Sequence, residues 1–464
     1  MKKIKNKEDS MQVVDMTTGN TLRLILAFAV PMFIGNIFQQ FYTMADTMVV
    51  GHSLGDGAIA AIGATSALYS LIFRIAFGMN NGYGIVVTRC FGTHDERKLR
   101  QSIAGMAQLN LAVTLFLTAL ALLFLRPLLS FINTPEEIFE QAHVYIAIVC
   151  GGMVFTICYN MFASILRALG NSRAPLFFLI IASVINILLD IVLVVWVRTG
   201  VAGAAAATIM AQAVSAVFSG SYLWKNYWRI LPKKEDFRVP GELLRDLLST
   251  GIAMALVESL VDLGTMIFQR ANNMLGEAAI AAFTASRRIL ETLLEPVCTL
   301  AIANSVFAGQ NLGARRPDRI KETLRKVLVM EVLWSAFACL IIWLFGGGLI
   351  KLITGTENES MIQMAVTCMR IQFSFYPVLA VLLCMRDAMQ ALGFKAAPVA
   401  SSIIELVMKI IAAWQLIPRF GFLGTSVTEP ITWVLMTAFL GAAYLMGRKK
   451  IFEPLAEKQS KNTT

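Results

Sequence analysis

Apolar residues along this chain neither alternate nor form narrow stripes; they fill whole stretches, among them Leu22–Val50, Leu176–Val197 and Val327–Phe345. Each reaches or approaches the roughly 20 residues that a helix needs to cross about 30 Å of hydrocarbon. The pattern predicts twelve helices, near 22–50, 58–80, 101–126, 138–161, 175–197 and 202–224, then near 250–272, 279–306, 326–345, 363–390, 398–417 and 425–446. The predicted fold class is an all-α integral membrane protein.

The twelve fall into two copies of six. Leu54-Gly55-Asp56-Gly57-Ala58-Ile59-Ala60-Ala61 returns as Leu275-Gly276-Glu277-Ala278-Ala279-Ile280-Ala281-Ala282. Ala168-Leu169-Gly170 is echoed by Ala391-Leu392-Gly393, Pro175 by Pro398, and the Gly200/Gly203 pair by Gly421/Gly424, all about 220 residues on. An even number of spans per copy points both the same way. Two six-helix bundles are therefore expected, related by a pseudo-twofold axis along the membrane normal with a cavity between them. The expected organisation is a tail (1–19), a first bundle (20–225), a linker (226–241), a second bundle (242–447) and a second tail (448–464).

Composition agrees: 57% of the residues are hydrophobic and 15% charged, more apolar surface than soluble cores of this length can hide. The net charge of +10 raises nucleic acid as a partner, but the basic residues are sorted by membrane side. They gather at Lys2, Lys3, Lys5 and Lys7, near Arg97, Lys98 and Arg100, along 225–238 and 315–326, and at Arg448-Lys449-Lys450, whereas 52–57, 133–141 and 354–363 have no Lys or Arg. By the positive-inside rule both termini and the linker are cytoplasmic, in a cell membrane. The seven cysteines lie mostly in apolar runs without metal-ligand spacing and read as small apolar residues. The first apolar run exceeds a signal-peptide core and lacks a small-residue cleavage pattern, so it is kept as a span.

Ionisable groups inside spans are expensive, and each is a functional hypothesis. Asp46 lies in the outer half of the first helix. Asp190 sits about ten residues before the Gly200 turn and Thr208 about eight after it, so at roughly 1.5 Å per residue they share a depth. Asn186 is one turn from Asp190 on the same helix face. Two carboxylates, an amide oxygen and a hydroxyl suit Na⁺, or a carboxylate pair able to hold a proton. The competing reading is that each acid merely fixes helix packing.

The second copy does not repeat this set. At the offset of 221 residues that separates Leu54 from Leu275, Asp46 falls on Ile267, Asp190 near Ile411 and Thr208 on Glu429. In its place stand Glu258 with Asp262, Arg287 and Arg288 with Glu291, and Glu405 with Lys409. Most of these acids have a cation within helical reach and read as internally neutralised pairs. Glu258 and Asp262 remain open to either a structural or a ligand-contacting role. Pro31, about four turns before Asp46, is a candidate hinge, and the 23 methionines and 29 phenylalanines could line an adaptable cavity.

Gln39–Gly51, Leu166–Asn171, the Asn186/Asp190 pair, Gly200–Ala205 and Gly309–Ala314 together resemble the multidrug and toxic compound extrusion (MATE) family, over residues 20 to 447. The resemblance implies a twelve-helix antiporter that exports small organic cations in exchange for Na⁺ or H⁺, with no cofactor and no enzymatic activity, working as a monomer in the lipid bilayer. It carries the coupling role to Asp46, Asn186, Asp190 and Thr208, with Ala204 of the segment entering the sixth helix. One family branch places an acid in the seventh helix, and Glu258 and Asp262 do not align cleanly with it. A flippase or exporter of lipid-linked precursors or metabolites is the alternative, weakened because few basic residues lie inside the spans. An enzyme would need a clustered nucleophile and base, and His52, His94 and His143 are scattered; a channel would show a repeated pore-lining motif, which the asymmetric polar sets do not supply.

Overall fold

The computed structural model describes residues 15–132 and 134–460; the side chains of 45–47, 50, 56, 66, 67, 71, 450, 451 and 454–460 fall outside the described residues. The tail lysines Lys2, Lys3, Lys5 and Lys7 therefore lie outside it, as does the side chain of Asp46. All described elements are helical. In chain order they are α1 (Thr21–Leu54), α2 (Asp56–Gly92), α3 (Glu96–Phe131), α4 (Glu136–Gly151), α5 (Met153–Ala168), α6 (Arg173–Asp190), α7 (Val201–Tyr227), α8 (Gly241–Asn273), α9 (Glu277–Gly313), α10 (Pro317–Thr354), α11 (Glu359–Ser374), α12 (Tyr376–Ala391), α13 (Ala396–Ile411), α14 (Ile417–Phe420) and α15 (Phe422–Ser460). Among the described residues ten helices are long and apolar enough to cross a membrane, and counting each of two bent pairs as one span gives twelve.

The bends depart from the expected straight helices over 138–161 and 363–390. α4 and α5 meet at 44° and α11 and α12 at 52°. Gly151-Gly152 supplies the first break, where the backbone gains freedom and a helix loses propensity. Pro377, at the first turn of α12, supplies the second, because its ring displaces the preceding carbonyl and it has no N–H to continue the ladder. The spans also run longer than the apolar pattern predicts. Polar caps extend them: the Asp95 carboxylate accepts from the Lys98 N–H (3.0 Å) at α3, and the Asn358 side chain accepts from the Met361 N–H (3.2 Å) at α11.

The duplication reaches the backbone. Gly55 and Gly276 precede α2 and α9 with φ of 78° and 93°, and His94 and Arg315 end the turns after α2 and α9 with φ of 56° each. A left-handed turn before a helix is open to glycine at no steric cost, which explains why Leu-Gly is the echoed dipeptide. A second shared device is rarer. α6 continues into a π-helical segment, Ile191–Trp196, and α13 into another, Ala412–Leu416. Such wide turns leave backbone groups in irregular positions and cluster at functional sites.

The chain forms two compact units, Val30–Ala255 and Met16–Ala29 with Leu256 onward. The first is built on Ile146, Cys150, Leu117 and Leu125 beneath α2 to α5, and on Tyr83, Ile103, Leu166 and Phe178. The second centres on Phe373, Tyr376, Met369, Ile342 and Met436. Large apolar side chains also face outward: Leu115, Phe116 and Leu123 on α3, and Leu333, Leu344 and Phe345 on α10, are all more than half exposed. Only a hydrocarbon solvent makes such faces stable.

The linker is a short ordered cap and not an extended strand of chain. Lys234–Phe237 is a 3₁₀ turn. Its Asp236 accepts from the Arg100 Nε (2.9 Å) and from the Lys233 N–H (2.9 Å). Burial pushes the Asp236 carboxyl up, but these hydrogen bonds and the charges of Arg100 and Lys233 outweigh it and hold it below its ordinary value. Within the second unit, the residues ahead of α1 are strapped to the α9–α10 corner. The Met16 N–H donates to Gln310 Oε1 (2.9 Å), and Asn311 Nδ2 (3.1 Å) and Arg319 Nη2 (3.0 Å) donate to the Met16 carbonyl. Arg316 and Arg319 reach the Thr17 and Gly19 carbonyls at 3.0 and 2.9 Å.

Candidate functional site

The last turn of α6, immediately before its π-helical segment, carries Asn186 and Asp190, exposed by 1% and 0%. Asn186 joins three helices. In the amide orientation that satisfies all its neighbours, Nδ2 donates to Asp190 Oδ2 (3.2 Å) and to Tyr42 Oη of α1 (2.7 Å), while Oδ1 accepts from the Thr208 N–H of α7 (3.1 Å). The Thr208 hydroxyl donates to the Ala204 carbonyl one turn back (3.0 Å), and Ala204 packs on Val194 of the π-helical segment. The structure thus brings Asn186, Asp190, Ala204 and Thr208 together. Asp46 stands one turn beyond Tyr42 on the α1 backbone, its side chain outside the described residues.

A rotation of the Asn186 amide changes what this set offers. With its nitrogen toward Asp190 the amide donates to a carboxylate; turned over, it presents an oxygen beside the carboxyl group.

The second unit carries a different network at the equivalent positions of the repeat. Lys409, 2% exposed, donates to Glu405 Oε1 (2.7 Å) and Thr265 Oγ1 (3.1 Å) and stands 3.7 Å from Glu429. Nearby, Thr425 Oγ1 donates to Asn272 Oδ1. The Arg287/Arg288/Glu291 group is superficial: Arg287 Nε bonds Glu291 Oε1 at 2.8 Å, and Arg288 is exposed. Glu258 and Asp262 are one turn apart on α8, both half-buried, and Glu258 lies within electrostatic reach of Asp387 on α12.

Known proteins resemble this chain in sequence and fold. The MatE family pattern matches residues 31–192 and 253–415, once in each copy. The chain belongs to the MatE family. Among MatE-like relatives it is 27% identical over 419 residues to "Probable multidrug resistance protein YpnP" of Bacillus subtilis (strain 168), covering 89% of this chain and 90% of that one. It is 27% identical over 323 residues to "FAD transporter" of Shewanella oneidensis, covering 67% and 70%. A crystal structure of MATE in the bent conformation superposes with a TM-score of 0.88 at 22% identity, covering 97% of this chain and 99% of the other. That last likeness is one of fold. Membership of MatE makes this protein a multi-pass membrane transporter and not an enzyme.

Two participants in these networks, Tyr42 and Glu429, were missed from the sequence, and so was a buried acid elsewhere in the second unit, Glu331. Tyr42 lies one turn before Asp46, so its helix face was readable, but nothing local announces a partner 144 residues away. Glu429 was reached as the counterpart of Thr208 and not recognised as a second carboxylate for Lys409. Glu331 is hidden inside an apolar run, where its neighbours in sequence mask it.

Proposed function

We propose that this protein is a cation-coupled antiporter that exports small, often cationic amphipathic compounds, with Asp190 and Asp46 as the exchanging acids. The observation that carries the reading is the Tyr42–Asn186–Asp190–Thr208 cluster, drawn from α1, α6 and α7, with Asn186 and Asp190 buried, Tyr42 and Thr208 half-buried, and no basic side chain among the four. Such a set binds Na⁺ or H⁺ from one side of the membrane and releases it when the helices rearrange, because taking a carboxylate out of water favours its loaded form. Alternating access follows if loading the ion and loading the drug favour different arrangements of α1, α6 and α7. The positive-inside distribution orients export outward, with both termini cytoplasmic in the cell membrane.

The deciding experiment is drug efflux from proteoliposomes under separately imposed Na⁺ and pH gradients. Efflux driven by either gradient in the wild type and lost in Asp190→Asn supports the reading; efflux indifferent to both gradients overturns it. The similarity to a protein named as an FAD transporter favours a second reading, export of an anionic metabolite. FAD loaded in the same vesicles tests it directly.

A further inference from the structure

Glu331, on α10, is fully buried, both of its carboxyl oxygens are shut off from water, and the side chain within hydrogen-bonding reach of them is the weakly donating Cys384 thiol. The adjacent Ser335 hydroxyl is spent on the Glu331 carbonyl (2.7 Å). Helices α9 and α12 pack on α10 here. From α9 they bring Cys298 and Glu295, and from α12 Cys384, Asp387 and Arg386. Asn304 Nδ2, the nearby donor, is engaged with Cys384 Sγ at 3.5 Å. The other charged groups on helices packed against α10 are remote: Arg370 of α11 bonds the Trp343 carbonyl (3.2 Å), about three turns along α10. α15 meets α10 at Tyr444, beside Lys321 and Arg325.

Glu295, Glu331, Asp387 and Arg386 all lie within electrostatic reach of Cys298. Ionising Glu331, which among the described residues makes no ion pair, would place a bare charge in the interior at a cost of several kcal/mol. A proton removes that cost at once. Na⁺ would need several oxygen ligands, whereas the nearest polar neighbours include two thiols, which are poor partners for a hard cation. Among the described residues no group of three or more His, Cys, Asp or Glu could hold a metal ion. The repeat adds independent support. At the same offset of 221 residues the counterpart of Glu331 is Asn110, also buried, whose Nδ2 donates to Asn80 Oδ1 (3.2 Å). Where the first copy keeps a neutral amide paired with another amide, the second has a carboxyl group faced by a thiol.

We propose that Glu331 is a proton-binding site of the second copy, loaded in the conformation described here and emptied during the transport cycle. This deepens the antiporter reading, on which its transport role rests, by naming the proton as an exchanged ion and Glu331 as one carrier of it.

The test has two arms. Infrared spectroscopy of the purified protein in lipid near neutral pH should show the carbonyl stretch of a protonated carboxyl group that disappears in Glu331→Gln and persists, shifted, in Glu331→Asp. In proteoliposomes, Glu331→Gln should still bind drug but lose the dependence of efflux on the pH gradient, and Glu331→Asp should retain it. A spectrum without the band, or with a band unaffected by Glu331→Gln, overturns the site. A band that vanishes while the pH dependence stays intact overturns its role in transport. Wild-type vesicles that move no drug under any gradient defeat the antiporter reading alone, and the infrared arm then decides the proton site by itself.

Discussion

The ends of α6 and α13 share a backbone and differ in chemistry. Both helices widen into a π-helical segment, and both are followed by a left-handed glycine, Gly200 or Gly421. At the first, Asn186 links Asp190 to Tyr42 of α1 and to the Thr208 N–H of α7. At the second, the position of Asp190 is taken by Ile411, and a lysine two residues earlier stands between Glu405 and Glu429. Duplication kept the device that opens the helix and let the charges diverge. A lysine clamped by two carboxylates is already loaded with its cation, permanently. In the proposed site, Tyr42, Asn186 and Thr208 bring no basic side chain, and the cation taken up there is the exchanged one.

The sharpest way to break this contrast is to neutralise each side. Asp190→Asn should abolish gradient-driven efflux while thermal unfolding in detergent stays near wild type, since the amide keeps the shape of the carboxylate. Asp46→Asn should do the same. Retention of wild-type coupling by either variant at equal membrane levels would remove that acid from the site.

On the other side, Lys409→Met leaves two acids buried without their cation and should cost about 3–5 kcal/mol, read as a large fall in Tm. Because Glu429 joins Glu405 on Lys409, a Glu405→Gln/Lys409→Met double variant should recover only part of this. Adding Glu429→Gln should recover most of it, with coupling intact. If Lys409→Met is as stable as wild type, the network is not a structural clamp.

A smaller effect is expected of Tyr42→Phe, which deletes one neutral hydrogen bond to Asn186, worth about 1 kcal/mol. It should weaken the apparent affinity for the coupling ion severalfold without abolishing efflux. Smallest is the acid end of the stability profile. The Asp236 carboxyl is held below its ordinary value, so its contribution is present above the unfolded-state value and is lost as pH falls through the lower folded one. Asp236→Asn should therefore lower stability slightly at neutral pH and flatten its decline in acid; an unchanged acid limb would show that the Arg100 pair contributes nothing.

Much of the architecture was legible because it follows from quantities that add along a sequence. Span length, basic-residue sorting and the repeat give twelve crossings in two copies, and counting 1.5 Å per residue from the Gly200 turn puts Asp190 and Thr208 at one depth. What escaped depends on direction in space. Gly151-Gly152 and Pro377 are ordinary residues of apolar segments until a neighbouring helix requires a bend. Tyr42 gains its meaning only when α1 lies against α6. Glu331 escaped for a different reason: partner-seeking by helical spacing finds acids that have a cation one turn away, and Glu331 has none at i±4 (Val327, Ser335).

The strap ahead of α1 has a consequence for how this protein tolerates change. Gln310, Asn311, Arg316 and Arg319 reach main-chain atoms of Met16, Thr17 and Gly19. Every residue type except proline offers both of those groups, so the bonds themselves demand little of the strap's sequence; its limits come instead from the buried Met16 and Thr17 side chains and from Gly19, whose φ of 85° suits glycine. On the receiving side a single replacement of Arg319 removes two of the bonds at once.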